Sequence, residues 1–345
     1  MIKNNLDILQ NTPNDLTTLD ADTQTKIVNT AAASKADNTL RAYRSDLKQV
    51  CKYLADIGHA DMVKQNNGAW QLARPMSAQL VAAYLIERSE HGTALTTLQR
   101  HVASISKYHQ VLANTNTAIV NPCHTQLVRD VVAGLRKQND RQAKRAKPIT
   151  PGQVAAIVES LDLKTLRGVR DRAIILLGWC GAMRRSEIAN LTWAQLKFVA
   201  EGLQITVMQG KTDTTGQGQA IGLPYQNNAE LCPVAAMVAW AHACNQTKQT
   251  NTKVFVQISQ HGQNTQQPLS GQAIGNIVSA CASRVGLHGY TGHSLRSGLA
   301  TAAILAGTPE YQVMNTTRHK SQAVFRNYVR HAELFSKAAS RGLLS

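Results

Sequence analysis

The sequence predicts a mainly α-helical fold of two domains. An N-terminal helical bundle is followed by a mixed, mostly helical domain that carries one small antiparallel β-hairpin sheet. Three observations lead there. A length of 345 residues exceeds what one ordinary core fills, so two domains are expected. Aromatic residues make up only 5% of the chain while Ala, Leu and Val dominate, which favours helix on helix over a sandwich. Apolar residues recur at helical spacing through most of the chain and alternate convincingly, as in a strand, in one place only.

Residues 1–34 are polar and weakly periodic, which predicts a flexible tail. The beginning, MIKNNLDILQ, lacks the apolar region of a signal peptide. No apolar run approaches the roughly 20 residues that span a bilayer. The bundle, residues 35–137, opens with Leu40, Tyr43, Leu47, Val50, Cys51 and Leu54 at helical spacing. Asp37, Asn38 or Thr39 can cap that helix and Gly58 can stop it. Beside the apolar stripe, Arg41, Arg44, Lys48 and Lys52 form a one-sided cationic row, with a single acid, Asp46, on the other flank. A second helix runs from Ser77 to about Arg88. A third runs from about Ala94 to Ala113, with Arg100 and Lys107 opposite its apolar side, and a fourth from about Thr125 to Lys137. Short connections make these a small bundle.

Residues 138–148 contain Arg141, Lys144, Arg145 and Lys147 with almost no apolar side chain, and end at Pro148, which reads as a basic linker. Thr150-Pro151 starts the second domain, residues 149–345, with a capped helix. A long apolar helix, RDRAIILLGWCGA, is followed by one bearing Met183 to Leu191. LQITVMQ and AIGLP, joined by a Gly/Thr-rich turn, form the expected hairpin, with Lys211 at the end of its first strand. Helices PVAAMVAWAHAC and GQAIGNIVSACASRVG precede the last stretch, Gly292 to Arg330.

Lys and Arg number 37 against 21 Asp and Glu, a formal surplus of +16 that favours a polyanionic partner through counterion release. The cationic row, Arg100 and Lys107, and the linker residues Arg141, Lys144 and Arg145 are its candidate contacts with a phosphate backbone. The 6 cysteines are widely spaced, without C-x-x-C, and read as buried thiols of a reducing cytoplasm. No close carboxylate cluster suits Mg²⁺ and no Cys/His set has zinc spacing, so no metal or other cofactor is expected.

Gly292 to Arg330 concentrates the chemistry. His293 and Arg296 share a helix face, Arg318-His319 follows, and Tyr328 stands between Arg326 and Arg330. Each alone is ordinary: a surface pair, a capping histidine, a packed tyrosine. Together they suit phosphoryl transfer. A tyrosine with a pKa near 10 becomes a nucleophile when a base takes its proton and cations stabilise the developing charge. Guanidinium groups meet charge on non-bridging oxygens with fixed, paired donors.

In that combination the chain resembles the tyrosine site-specific recombinases, the phage integrase family, Cre-like and Xer enzymes included. The residues that carry the resemblance are Arg184 three before Glu187 in AMRRSEIANL, Lys211, His293 with Arg296, His319, and Tyr328 nine residues later. Arg184 is chosen over its neighbour Arg185 by register to Glu187. Arg318 stands where a glycine is common. The resemblance implies a SAM-like core-binding bundle and a catalytic domain that close on duplex DNA bearing an inverted-repeat site. It implies four copies on two paired sites, held in part by the tail after Tyr328, in the cytoplasm or on the nucleoid. Arg184 and Arg296 would clamp the scissile phosphate, Lys211 would protonate the leaving 5′-oxygen, and His293 would help deprotonate Tyr328. His319 would hydrogen-bond the phosphate and Glu187 would orient its neighbours. A topoisomerase-like or resolvase-type enzyme shares the same groups, and a binder without catalysis is the other alternative.

Overall fold

The computed structural model describes residues 37–66, 68–115, 119–138, 146–208, 218–245, 250–319, 321, 322 and 325. The chain divides into two units between Lys144 and Arg145, each with its own apolar core. The expected tail, the linker residues Arg141, Lys144 and Arg145, Lys211 and Tyr328 lie outside the described residues.

In the first unit, α1 (Asp37–Asp56) follows its predicted stripe, with Val50, Cys51 and Leu54 fully buried. Helix α2 (Ala78–Glu90) starts at Ser77, whose Oγ accepts a hydrogen bond from Leu80 N at 3.2 Å and so satisfies one orphan amide of the first turn. Helices α3 (Leu95–Thr115) and α4 (Gln126–Gln138) add Leu98, Ile105, Val128 and Leu135 to the core. The expectation of a single hairpin sheet is corrected here. Strands β1 (Val63–Asn66) and β2 (Ala69–Leu72) pair antiparallel between α1 and α2, with Val63 opposite Leu72 and Gly68 at φ +76° in the turn.

Asp46 is also corrected. It lies three residues after Tyr43 and four before Val50, so helical geometry turns it to the core face, where it is fully buried. Arg100 donates to it twice, Nε to Oδ2 at 2.9 Å and Nη2 to Oδ1 at 2.7 Å, and Ser104 Oγ donates to Oδ2 at 2.8 Å. Arg100, expected on an open cationic face, is therefore spent in part on holding α3 to α1. Arg100 is 44% exposed, so removing Asp46 strands no buried charge; what is lost is the set of hydrogen bonds to the carboxylate, about 1.5–3 kcal/mol each. We predict that Asp46→Ala lowers the stability of this unit by about 3 kcal/mol, read as faster hydrogen exchange of α1 and α3 amides in the full chain. Unchanged exchange would refute a stabilising role.

The second unit begins with α5 (Pro151–Glu159), closed by a reciprocal cap in which Gln153 N donates to Thr150 Oγ1 and Thr150 N to Gln153 Oε1. Helix α6 (Leu166–Cys180) is its centre. Ala173 to Leu177 are all buried, which explains why that stretch is apolar on every side. It packs against α8 (Pro233–Ala243) and α10 (Gly292–Leu305). After α7 (Arg185–Asn190) come β3 (Leu196–Val199), β4 (Gly202–Val207) and β5 (Gln219–Pro224), antiparallel in that order. The predicted hairpin is β4–β5, and β3 extends it. A further hairpin, β6 (Val256–Ile258) with β7 (Asn264–Pro268), was not expected, and every residue of β7 is exposed. Helices α9 (Gly271–Arg284), α10 and α11 (Glu310–Thr317) complete the described unit.

Helix α10 lies close against the chain that enters α5. Ile149 N donates to Ser294 O at 3.1 Å, and Trp179 Nε1 donates to Ile149 O at 3.0 Å. A Cβ at Gly298 would sit 2.2 Å from that carbonyl oxygen, so only glycine fits. All six cysteines are free. Burial pushes the Cys51 thiol up to about 11 and those of Cys123 and Cys180 to about 12, so none of these three is a nucleophilic thiolate at neutral pH. Among the described residues no helix is long and apolar enough to cross a membrane.

Candidate active site

The site is assembled where the end of α6, the start of α7, the first turn of α10 and the end of α11 meet. Helix α6 stops at a turn in which Ala182, fully buried, takes a left-handed φ of +44° while Met183 N reaches back to Gly178 O at 3.1 Å. The turn aims the Gly181 and Ala182 carbonyls at guanidinium groups. Arg296, 1% exposed, donates from Nη1 to Ala182 O at 2.7 Å. Arg318 donates from Nη2 to the same oxygen at 3.1 Å and from Nη1 to Gly181 O at 3.1 Å.

Arg184 caps α7. Its backbone N donates to Glu187 Oε2 at 2.8 Å and its Nη1 to Glu187 Oε1 at 2.5 Å, while nearly half of its side chain stays exposed. Arg185 turns elsewhere, donating from Nη1 to Gln272 Oε1 at 3.1 Å on α9. Register and contact therefore agree in pairing Glu187 with Arg184. From the other side Arg318 Nη2 donates to Glu187 Oε2 at 2.7 Å. Burial pushes the Glu187 carboxyl upward, but Arg318 and then Arg184 outweigh it and leave the group below the usual carboxylate range.

Arg318, read from the sequence only as a departure from a common glycine, is the further residue that the structure places in this cluster. It ends α11 at φ +56°, ψ +43°, where an arginine is disfavoured by roughly 1 kcal/mol relative to glycine. Its side chain is nonetheless buried, and burial lowers its pKa. The available signal was weak: residues 315–321 contain no glycine, so a left-handed helix end there has to fall on another residue.

Both histidines belong to this cluster. His293 keeps an exposed edge, yet the surrounding protein and then the Arg296 and Arg184 cations hold it below the ordinary histidine range. His319 is pushed down to about 4 by burial first, then by Arg296, Arg184, His293 and Arg318. Both rings are therefore neutral at pH 7. Thr317 Oγ1 donates to Val313 O at 2.8 Å and lies 2.7 Å from His319 Nδ1. With its proton committed, that hydroxyl accepts from Nδ1–H, so we assign the neutral ring's proton to Nδ1 and its acceptor nitrogen to Nε2. Fully buried Phe325 packs 5.9 Å, centroid to centroid, from the His319 ring.

Arg184, Glu187, His293, Arg296 and His319 are thus brought together. The hairpin expected to carry Lys211 is rooted beside them, since Gln219 Nε2 donates to Asn315 O on α11 at 3.3 Å. In the first unit Arg41, Arg44, Lys48 and Lys52 all lie exposed on α1, and Lys107 Nζ donates to Gln110 Oε1 at 2.8 Å. Among the described residues no group of three or more His, Cys, Asp or Glu is arranged to hold a metal ion.

Comparison with known proteins agrees with this geometry. Residues 147–334 match the phage integrase family, and residues 31–116 match the phage integrase N-terminal SAM-like domain. An integrase/recombinase XerD homolog from Selenomonas ruminantium is 30% identical over 308 residues, covering 89% of this chain and 85% of the relative. Tyrosine recombinase XerD from Halalkalibacterium halodurans is 24% identical over 287 residues, 82% of this chain and 84% of the relative. Among solved structures, the XerH site-specific recombinase bound to a palindromic difH substrate aligns with a TM-score of 0.62 at 13% identity, covering 94% of this chain and 85% of that one. A lambda integrase dimer bound to a COC′ core site aligns at 0.55 and 16% identity, over 89% and 93%. The two structures share the fold. With a catalytic-family match over more than half its length and a relative at 30% identity across most of it, the chain belongs to the phage integrase family and is a tyrosine recombinase.

Proposed function

We propose that this recombinase exchanges strands at specific duplex DNA sites through an ester between Tyr328 and a 3′-phosphate, without metal or ATP. The observation that carries the reading is the meeting of His293 and His319 with the Arg184 and Arg296 guanidinium groups where α6, α7, α10 and α11 converge. Arg184 and Arg296 hold the non-bridging oxygens of the scissile phosphate. The Tyr328 phenol gives its proton to His293 as its oxygen bonds to phosphorus, and the bond to the 5′-oxygen breaks. Lys211 supplies the proton that the leaving oxygen takes, and a 5′-hydroxyl from another duplex reverses the step. His319 donates to the phosphate from Nε2 only as an imidazolium, a state that the incoming negative charge favours. Glu187 orients Arg184.

The row Arg41, Arg44, Lys48 and Lys52, with Lys107 and the linker residues Arg141, Lys144 and Arg145, supplies phosphate contacts that position the duplex. Arg100 joins them with whatever reach its bond to Asp46 leaves. The palindromic substrate of the XerH complex and the dimeric lambda integrase complex support an inverted-repeat site bound by paired subunits; four copies on two paired sites rest on the family resemblance.

Selection of bound duplexes from a random library, followed by incubation of a nicked version of the selected site, tests this reading. An inverted repeat with a short spacer and a detergent-stable protein–DNA adduct are expected. Binding without any adduct would leave a DNA-binding protein. Adducts on every sequence alike would favour topoisomerase-like chemistry.

A further inference from the structure

The family chemistry accounts for Arg184 and Arg296 but not for Arg318, a buried arginine of the same cluster that is held in a backbone conformation suited to glycine. We infer that Arg318 is a positioning residue: it is the standing counter-ion of Glu187, and it frees Arg184 to leave that carboxylate for the scissile phosphate. The inference rests on the reading of Arg184 as a phosphate ligand.

Glu187 faces two guanidinium groups of different character. Arg184 is nearly half exposed and reaches Oε1 at 2.5 Å, whereas the Arg318 side chain is 1% exposed and reaches Oε2 at 2.7 Å. Arg318 cannot swing out, because Nη1 also binds Thr316 O at 2.7 Å and Gly181 O at 3.1 Å, and Nη2 binds Ala182 O at 3.1 Å. The ion pair it makes is permanent, and the one made by Arg184 is exchangeable.

A phosphate entering the site competes with Glu187 for Arg184. Were Arg184 the sole cation on that carboxylate, its departure would strand a mostly buried anion, which opposes the exchange. With Arg318 in place the carboxylate remains paired and hydrogen-bonded, and it still holds the Arg184 backbone N at 2.8 Å. Arg318 has a second effect through Ala182 O, which it shares with Arg296 Nη1. One buried guanidinium thereby sets the spacing between the two turns that carry the phosphate ligands.

The test compares Arg318→Gly with wild type in single-turnover attachment to a nicked duplex carrying the selected site. Glycine suits φ +56°, so the backbone is relieved while the guanidinium is lost. The expected result is a roughly 10- to 100-fold slower attachment with DNA affinity changed by less than about 3-fold, since phosphate contacts elsewhere dominate binding. Adding Glu187→Gln to Arg318→Gly should recover part of the lost rate, because an uncharged amide no longer retains Arg184. A purely structural arginine would predict the opposite, a further loss. Arg318→Lys, which keeps a cation near Glu187, should attach at a rate between those of Arg318→Gly and wild type, and its slowing relative to wild type serves as the readout if the glycine variant does not fold. Attachment by Arg318→Gly at the wild-type rate, or an additive loss in the double variant, overturns the inference alone. A wild-type chain that never attaches to DNA overturns the phosphotyrosyl chemistry, and this inference with it.

Discussion

Phenylalanine at position 328 is expected to abolish covalent attachment to DNA while leaving the affinity for the same duplex within about 2-fold, since phosphate contacts elsewhere dominate binding. The asymmetry follows from the chemistry. Near neutral pH about one phenol in 10³ is ionised, so the attacking oxygen depends on a neighbour that can take its proton. His293 and His319 are both held neutral by burial and by arginines, which keeps a lone pair at hand. Removing the hydroxyl leaves that apparatus intact with nothing to deprotonate. The measurement is detergent-resistant attachment to a nicked duplex beside a gel-shift titration. A Tyr328→Phe chain that still attaches would show that another side chain is the nucleophile.

Arg296→Lys is expected to slow single-turnover attachment by about 10²- to 10³-fold, the cost of losing one preorganised donor to the developing charge. The fully buried guanidinium spends Nη1 on Ala182 O and has four further N–H groups for other partners. A lysine ammonium keeps the charge but has no planar fork with which to hold a carbonyl and a phosphate oxygen at fixed separation. Affinity should change much less than rate, because the contribution grows as charge develops on the phosphoryl oxygens. Equal rates for the lysine variant and wild type would remove Arg296 from the reaction.

Periodicity read α1, α2, α3 and α4 from their apolar stripes because each presents one face to one core. It read α6 as a buried helix because apolar residues surround that axis. The hairpins failed differently. β7 is NTQQP, exposed at every position, so no apolar alternation exists to be seen. β1–β2 did carry a signal, Asn67-Gly68, but its strands are four residues long and half polar, too short to show an alternation. The set Arg184, Glu187, His293, Arg296 and His319 was legible through the chain's resemblance to the family pattern, each residue being ordinary alone. What spacing could not convey is a contact between residues 131 positions apart: Arg318 reaches Glu187 only because α11 ends against the turn after α6. Asp46 was misread for a related reason, since a carboxylate among cations looks solvated until its buried partners on α3 are known.

The junction at Ile149 bears on how the reactive helix could be tuned from outside. The basic segment feeds directly into a residue whose amide is hooked to Ser294 O and whose carbonyl is gripped by the Trp179 indole. Ser294 stands between His293 and Arg296, and Gly298 leaves no slack behind them. Any tug on the strap that enters this unit is therefore delivered, within one turn of helix, to His293 and Arg296 together.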